Sequence, residues 1–235
     1  SCYNNVIPHD KHRCFMKHAT KYSKLFQLSF IFTITAIISI AFIDKPLAIY
    51  IHIVQLDNIK QLRLLSEYMP IIIMAICLLS IINYYRNKKL NLALSLIYIY
   101  AGLHSVLTIK TGFKILFGRY WPKTWINHNL SLIDNNVFGF NWLHGFGNQG
   151  SFPSGHSTYI AYCITWLFIY YPKQRYLWIS IATLGIAPQV ILDYHFFGDC
   201  MMGIALGIFF ATLIIIIWQK YIELILSKYT TTAVH

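Results

Sequence analysis

Long apolar stretches separated by polar segments dominate the chain and predict an all-α protein. A helix needs about 20 apolar residues to cross the hydrocarbon core of a bilayer. Five stretches come close to that length. A sixth is shorter and more polar where it begins, as expected of a span that starts in a water-filled cavity. The pattern predicts a polytopic membrane protein, a bundle of six transmembrane helices over residues 25–43, 69–85, 90–109, 156–171, 176–192 and 201–218.

The segment between the first two predicted spans, residues 44–68, alternates apolar and polar positions, with Ile49, Ile53 and Leu56 among the apolar ones. Such alternation is typical of a helix that lies on the membrane surface. It is equally typical of a connecting loop whose apolar side packs on the bundle. The sequence leaves both interpretations open.

Composition strengthens the membrane interpretation. Of the 235 residues, 57% are apolar or aromatic and 11% are charged, and the mean hydropathy is +0.52. An ordinary soluble domain carries about 25% charged residues, so a soluble domain is excluded, as are disordered and fibrous proteins. We predict a cytoplasmic N-terminal segment (1–24), a six-helix membrane domain (25–219) and a cytoplasmic tail (220–235). The first 24 residues are polar and basic, so we expect no cleavable signal peptide.

The formal net charge of +11 is better explained by membrane topology than by a nucleic-acid partner. With both termini in the cytoplasm, twelve of the 19 lysines and arginines lie inside and seven outside, in agreement with the positive-inside rule. This orientation places residues 110–155 and 193–200 outside. The abundance of Ile, Lys and Asn is typical of an AT-rich bacterial genome. We therefore expect a multi-pass protein of a bacterial inner membrane, with these loops in the periplasm.

The first candidate site on the outer side is Pro153-Ser154-Gly155-His156, where a predicted helix begins. Ser154 is a good N-cap, and the backbone N–H groups that follow it are free to bind an anion. Gly155 lets the anion approach the backbone, and His156 places a proton donor beside it. The alternative is an ordinary helix cap followed by an unrelated histidine.

Two further outer segments carry charge. His195 and Asp199 are four residues apart, so on a helix the carboxylate can orient the imidazole as a nucleophile or base. An ionisable pair at the end of a span favours function, although the two groups could simply satisfy each other. Lys114 and Arg119 add positive charge, and the planar fork of arginine suits phosphate. Taken alone, this basic pair is also typical of a patch that binds lipid headgroups.

The order and content of these segments resemble the type 2 phosphatidic acid phosphatase (PAP2) superfamily, which includes bacterial lipid phosphatases and vanadium haloperoxidases. The resemblance covers about residues 90–218. The middle motif is complete in Pro153-Ser154-Gly155-His156, and the third motif, His-x-x-x-Asp, ends the pattern. The other matching positions are Lys114, Gly118, Arg119 and Pro122 in the first motif (Lys-x-x-x-Gly-Arg-x-Arg-Pro) and His195 and Asp199 in the third.

The resemblance implies a role for each matching residue. His195 would attack phosphorus and become a phosphohistidine, with Asp199 orienting it. His156 would protonate the leaving oxygen and later help to activate water. The phosphate oxygens would be held by Lys114, Ser154 and the backbone N–H of Gly155. This chemistry needs no metal or other cofactor, because fixed positive groups and backbone donors stabilise the transition state.

Two positions depart from the family pattern. Trp121 replaces the arginine that usually precedes the proline of the first motif, and Pro188-Gln189 replaces the Ser-Arg pair that usually opens the third. Gln189 can still donate a neutral hydrogen bond to phosphate, but charge-assisted bonds are about twice as strong. Arg119 is a further phosphate ligand in our prediction. The missing charge could be supplied by Arg119 together with Lys110 or Lys123.

We therefore predict a membrane lipid phosphatase, a phosphoric monoester hydrolase. Its substrate would be a phosphate monoester or diphosphate in the outer leaflet: lipid A, phosphatidylglycerol phosphate, phosphatidic acid or undecaprenyl diphosphate, with lipid A preferred. One alternative is a weak or inactive relative that binds lipid phosphate headgroups. Another is a metal-dependent hydrolase built on His156, His195 and Asp199. The absence of an H-E-x-x-H helix and of CxxC spacing among the five cysteines counts against a metal site.

Overall fold

The computed structural model describes the backbone of residues 8–86, 92–125, 128–146 and 150–232. Within these ranges the chain is all-helical and contains no strand, which confirms the predicted fold class. The helices are α1 (Pro8–Phe42), α2 (Asp44–Ile53), α3 (Lys60–Arg86), α4 (Leu92–Phe117), α5 (Leu132–Asn135), α6 (Gly155–Tyr170), α7 (Arg175–Ile191) and α8 (Phe197–Thr232).

Each predicted span coincides with a helix, namely α1, α3, α4, α6, α7 and α8. Three segments of the described chain are both long and apolar enough to cross a membrane: Tyr22–Phe42, Lys60–Tyr84 and Phe197–Tyr221. Helices α6 and α7 are shorter, with 16 and 17 residues, and part of α4 carries side chains that are not described. Six spans and a periplasmic orientation of the loops stay predictions.

Large apolar side chains on the outer faces of α1 and α3 are exposed on the protein surface. Phe30, Ile37, Phe42, Ile71 and Leu79 each have more than half of their surface accessible. Soluble monomers rarely expose contiguous apolar surfaces of this kind. These faces are suited to lipid contact, and the protein is a membrane protein.

The core of the bundle is the packing of α8 against α6 and α1. Two glycines one helical turn apart allow α6 and α8 to approach closely. A Cβ on Gly203 would lie 2.6 Å from the carbonyl oxygen of Ser154, and one on Gly207 would lie 2.5 Å from that of Thr158. Small residues four apart are a common device for close helix packing in membranes. This contact sets the beginning of α6 beside the beginning of α8, which positions two of the three motifs.

The segments that connect the spans differ in detail from the sequence prediction. Residues 44–53 form α2, which buries Ala48 and Ile51; the structure does not test whether this helix lies on a membrane surface. A short 3-10 turn follows (Leu56–Asn58), and α3 then begins at Lys60, ahead of the predicted start. Helix α4 continues to Phe117, beyond the predicted end at 109. Residues 1–7 and 233–235 of the predicted terminal segments, and residues 87–91 around the start of the third predicted span, lie outside the described ranges.

Candidate active site

A cavity of about 520 Å³ lies among α3, α4 and α6, and it is where the sequence motifs meet. Four residues predicted from the sequence line it: Lys114, Gly155, His156 and His195. Other lining residues with polar or aromatic side chains are Glu67, Lys110, Trp121, Trp125 and Tyr159. The fold thus gathers groups from four separate parts of the chain around one space.

His195 lies just before α8 and is held on several sides. Its backbone N–H donates to the carbonyl oxygen of Gln189 at 2.9 Å, and its ring packs against that of Trp121 with centroids 5.0 Å apart. Nδ1 faces Oδ2 of Asp199 at 3.6 Å, slightly beyond hydrogen-bond length. Catalytic contacts are often long before substrate binds. With Nδ1 turned toward the carboxylate, the opposite ring nitrogen, Nε2, is the one available to substrate.

Burial makes His195 a neutral imidazole. Its side chain is almost completely enclosed, and burial lowers the pKa of His195 to about 4, with Asp199 opposing and Lys114 reinforcing the effect. A nucleophilic imidazole must carry a lone pair, which protonation would block. The site therefore keeps His195 in its reactive form at neutral pH.

The first turn of α6 carries the backbone N–H groups that the sequence predicts as anion donors. The Ser154 side chain accepts from the N–H of Ser157 at 3.4 Å, as expected of an N-cap. Its own N–H donates to the carbonyl oxygen of Asp199 at 3.0 Å, which ties α6 to α8. Ser154 is fully buried, so Gly155 and His156 form the part of this turn that reaches the cavity.

Two lysines one turn apart on α4 form the cationic wall of the cavity. Nζ of Lys114 donates to the carbonyl oxygen of Gly150 at 2.8 Å and lies 4.7 Å from the ring centroid of Trp121. Burial, together with the neighbouring positive charge of Lys110, lowers the pKa of Lys114 to about 7. Lys110 reaches across to α6, where a Cβ on Gly155 would lie 3.3 Å from its Nζ. A larger residue at position 155 would displace this ammonium group.

Arg119 lies behind the cavity, in contrast to its predicted contact with phosphate. Its side chain is completely buried, and its two terminal nitrogens bind carboxylates: Nη1 donates to Oδ1 of Asp199 at 2.5 Å, and Nη2 to Oδ2 of Asp44 at 2.8 Å. The preceding residue, Gly118, has φ +51°, a left-handed conformation that suits glycine. This residue turns the chain as α4 ends, so Arg119 does not continue the cationic face of the helix.

Gln189 also lies away from the cavity lining. It is completely buried, and its Nε2 donates to the hydroxyl of Ser66 at 2.7 Å, which links α7 to α3. Trp121, the other departure from the family pattern, lies on the cavity wall between Lys114 and His195. An aromatic wall and a buried amide thus occupy the positions where the pattern has arginines.

Lys123, the other lysine considered for the missing charge, places Nζ 2.5 Å from Oδ2 of Asp57 and does not line the cavity. Lys110 does line the cavity, so it is the lysine placed to supply the positive charge that the missing arginines would carry. Its spacing of four from Lys114 is the signal that identifies it, once α4 is known to extend that far. Asp44 and Glu67 carried no such signal, because both precede the motifs by many residues. In the described ranges no group of three or more His, Cys, Asp and Glu side chains could hold a metal ion.

Comparison with known proteins identifies three relatives that share part of the chain. Lipid A 1-phosphatases of Rhizobium etli and Rhizobium johnstonii are each 29% identical over 87 residues, which are 37% of this chain and 38% and 36% of those proteins. The lipid A 1-phosphatase of Helicobacter pylori is 29% identical over 63 residues, 26% of this chain and 33% of that protein. The aligned segments span about a third of the relatives' length. No solved structure matches the chain.

The family comparison covers more of the chain. Residues 88–223 match the PAP2 superfamily, a range that includes all three motifs and every cavity-lining residue contributed by α4, α6 and the segment before α8. It begins after α3, so Asp44 and Glu67 lie outside it. The match spans more than half of the 235 residues, and the chain belongs to the PAP2 superfamily.

Proposed function

We propose that this protein is a membrane lipid phosphatase that hydrolyses a phosphate monoester or diphosphate of a lipid through a phosphohistidine intermediate. The observation that carries the proposal is the convergence of His195, His156, Lys110 and Lys114 on one cavity. The neutral state of His195 supports it, because that state is the one a nucleophile requires. The apolar helices around the cavity are suited to a substrate whose tails remain in the bilayer.

The chemistry takes place in two displacements at phosphorus. In the first, Nε2 of His195 forms a bond to phosphorus while the P–O bond to the lipid breaks, and His156 gives its proton to the leaving oxygen. In the second, His156 takes a proton from water, the water oxygen bonds to phosphorus and the N–P bond breaks. Inorganic phosphate leaves, and His195 is neutral again. Lys110, Lys114 and the N–H groups at the start of α6 stabilise the negative charge of both transition states.

Lipid A is the substrate we favour. The three relatives described above are named lipid A 1-phosphatases, and each shares only part of its length with this chain. Phosphatidylglycerol phosphate, phosphatidic acid and undecaprenyl diphosphate offer the same reacting group and are the competitors to test. We further propose an inner-membrane location with the cavity open to the periplasm, on the basis of the distribution of basic residues.

Phosphate release from these four lipids by the purified protein in detergent tests the proposal. We expect release by the wild type, with lipid A fastest, and a loss of at least a thousandfold in His195→Ala. His156→Ala should also be strongly impaired. His144→Ala is the matched control, because His144 is exposed and does not line the cavity. Full activity of His195→Ala would exclude the phosphohistidine route.

The same assay distinguishes the alternatives. Wild-type release that EDTA abolishes would favour a metal-dependent hydrolase. Binding of the lipids without release from any of them would favour a headgroup-binding relative, the alternative suggested by the absence of charged side chains at Trp121 and Gln189. Topology needs a separate test. A reporter enzyme that works only in the periplasm should be active when it is placed in residues 125–150. Activity there of a reporter that works only in the cytoplasm would reverse the proposed orientation.

A further inference from the structure

Asp44, the first residue of α2, lies far from the motifs in sequence, but its buried carboxylate accepts three hydrogen bonds. It is 1% exposed. Oδ1 accepts from the backbone N–H of Gly198 at 2.8 Å and from the hydroxyl of Ser39 at 2.7 Å, and Oδ2 accepts from Arg119 at 2.8 Å. A Cβ on Gly198 would lie 2.6 Å from Oδ2. The beginning of α8 is thus shaped to receive this carboxylate.

Asp44 shares its arginine with Asp199. The guanidinium of Arg119 lies between the two carboxylates, and all three side chains are completely buried or nearly so. It also lies over the ring of Phe196, with Cζ 4.5 Å from the centroid. Buried charges are strongly coupled, because removing one partner leaves another uncompensated. The position of Arg119 therefore depends on both carboxylates together.

The same arrangement fixes Asp199. Its Oδ1 accepts from Arg119, while Oδ2 accepts from the N–H of Phe196 at 3.1 Å and faces Nδ1 of His195. Because the two oxygens belong to one rigid carboxylate, the hold on Oδ1 determines where Oδ2 points. Contacts thus run from Asp44 through Arg119 and Asp199 to His195.

We propose that Asp44 is a positioning residue that sets the geometry and charge of the Asp199–His195 pair through Arg119. The proposal rests on the proposed function, since it concerns the reactivity of His195. With Asp44 ionised, Arg119 divides its positive charge between two carboxylates, and Asp199 keeps enough negative charge to orient the imidazole. Without Asp44, the charge of Arg119 is balanced by Asp199 alone. This weakens the electrostatic interaction between Asp199 and His195.

This role has a kinetic signature that a purely structural role lacks. Asp44 does not line the cavity. The two lysines that do, Lys110 and Lys114, form no hydrogen bond or ion pair with Asp44 or Asp199, and the charge of Asp199 acts on Lys114 only at longer range. Asp44→Asn keeps the size of the side chain and removes its charge. We expect kcat to fall about 10- to 100-fold. Activity falls by the same range when a side chain that orients a metal-binding residue is removed. KM and the dissociation constant of tungstate, a tetrahedral dianion, should change less than about twofold.

Asp57→Asn is the matched control. Asp57 is also buried, and it pairs with Lys123 and His52, away from His195. The experiment measures kcat and KM for the lipid that the wild type hydrolyses fastest, tungstate binding by calorimetry, and thermal unfolding in detergent. Asp57→Asn should leave kcat and tungstate binding at wild-type values.

Each result decides between the possibilities. An unchanged kcat in Asp44→Asn would overturn the proposal, as would an equal loss of kcat and tungstate affinity, which indicates a collapsed site. If Asp44→Asn does not fold, Ser39→Ala replaces it: loss of one hydrogen bond to the same carboxylate should lower kcat about two- to fivefold at unchanged tungstate affinity, and no change in kcat would overturn the proposal. A wild type inactive on every lipid would instead contradict the proposed function.

Discussion

The affinity of the cavity for a tetrahedral dianion should fall as the pH rises above about 7, because Lys114 loses its proton there. Burial and the charge of Lys110 lower the pKa of Lys114 from 10.5 to about 7. A bound dianion stabilises the charged ammonium and raises this pKa again. Each anion bound above pH 7 therefore takes up about one proton.

The magnitude follows from this linkage. Above the pKa of the free protein, the dissociation constant should rise about tenfold per pH unit, or about 1.4 kcal/mol. Full affinity is expected below pH 7, and the loss should proceed from there. Burial also lowers the pKa of Lys110, so its deprotonation adds to the loss at higher pH. His195 is neutral throughout this range and contributes no slope.

Tungstate binding from pH 6.5 to 9.5, measured by calorimetry on the detergent-purified protein, checks this expectation, because tungstate itself keeps its charge in that range. Repeating the titration in buffers of different ionisation enthalpy counts the protons taken up. Lys114→Met should bind more weakly at pH 7 and show a much smaller slope. Lys45→Met, which removes an exposed lysine outside the cavity lining, should behave as the wild type does. A flat wild-type profile, or an unchanged slope in Lys114→Met, would refute the reasoning.

Three further predictions concern the packing, a buried carboxyl and the cavity wall. Gly203→Ala should cost about 1–3 kcal/mol of stability because its Cβ would lie 2.6 Å from the Ser154 carbonyl oxygen, whereas Gly112→Ala, with open space around it, should not; equal melting temperatures in detergent would contradict this. Asp193→Asn should stabilise the protein increasingly between pH 4 and 8, by up to about 1.4 kcal/mol per pH unit, because burial raises the pKa of Asp193 from 3.8 to about 8. The wild-type carboxyl stays protonated in the folded state while the unfolded state ionises, so a stability difference independent of pH would exclude this cause. Glu67→Gln should tighten tungstate binding about twofold, since it removes a negative charge from the lining, and weaker binding would contradict that.

The positions of the long helices could be predicted from the sequence, but several of their ends could not. Apolar runs locate α1, α3, α4, α6, α7 and α8 because a membrane helix must be apolar along its length. Lys110 and Lys114 end the apolar run of α4, yet the helix continues, and both lysines line the cavity together with His156 and His195. A hydropathy pattern records the average surroundings of a helix and cannot distinguish a cavity from the end of a span.

The candidate site shows the same division. Ser154 with His156, and His195 with Asp199, are predictable as neighbours because the members of each pair are at most four residues apart, although His195 precedes α8 and does not lie on it. Arg119 is different. Its direction depends on a left-handed turn at Gly118 and on a carboxylate, Asp44, that is 75 residues away. No local pattern contains that contact, so the sequence alone suggested phosphate as its partner.

The account rests on His195 as the group that takes the phosphoryl from the lipid. The most direct test is to trap that intermediate: the protein is mixed with a lipid phosphate labelled in the phosphoryl group, quenched in alkali within milliseconds and mapped by mass spectrometry. We predict a label that is stable in alkali, labile in acid, carried by His195 and absent from His195→Ala, with Asp44→Asn forming it more slowly. Phosphate release by the wild type with no labelled protein at any quench time, or with the label on another residue, would contradict the account.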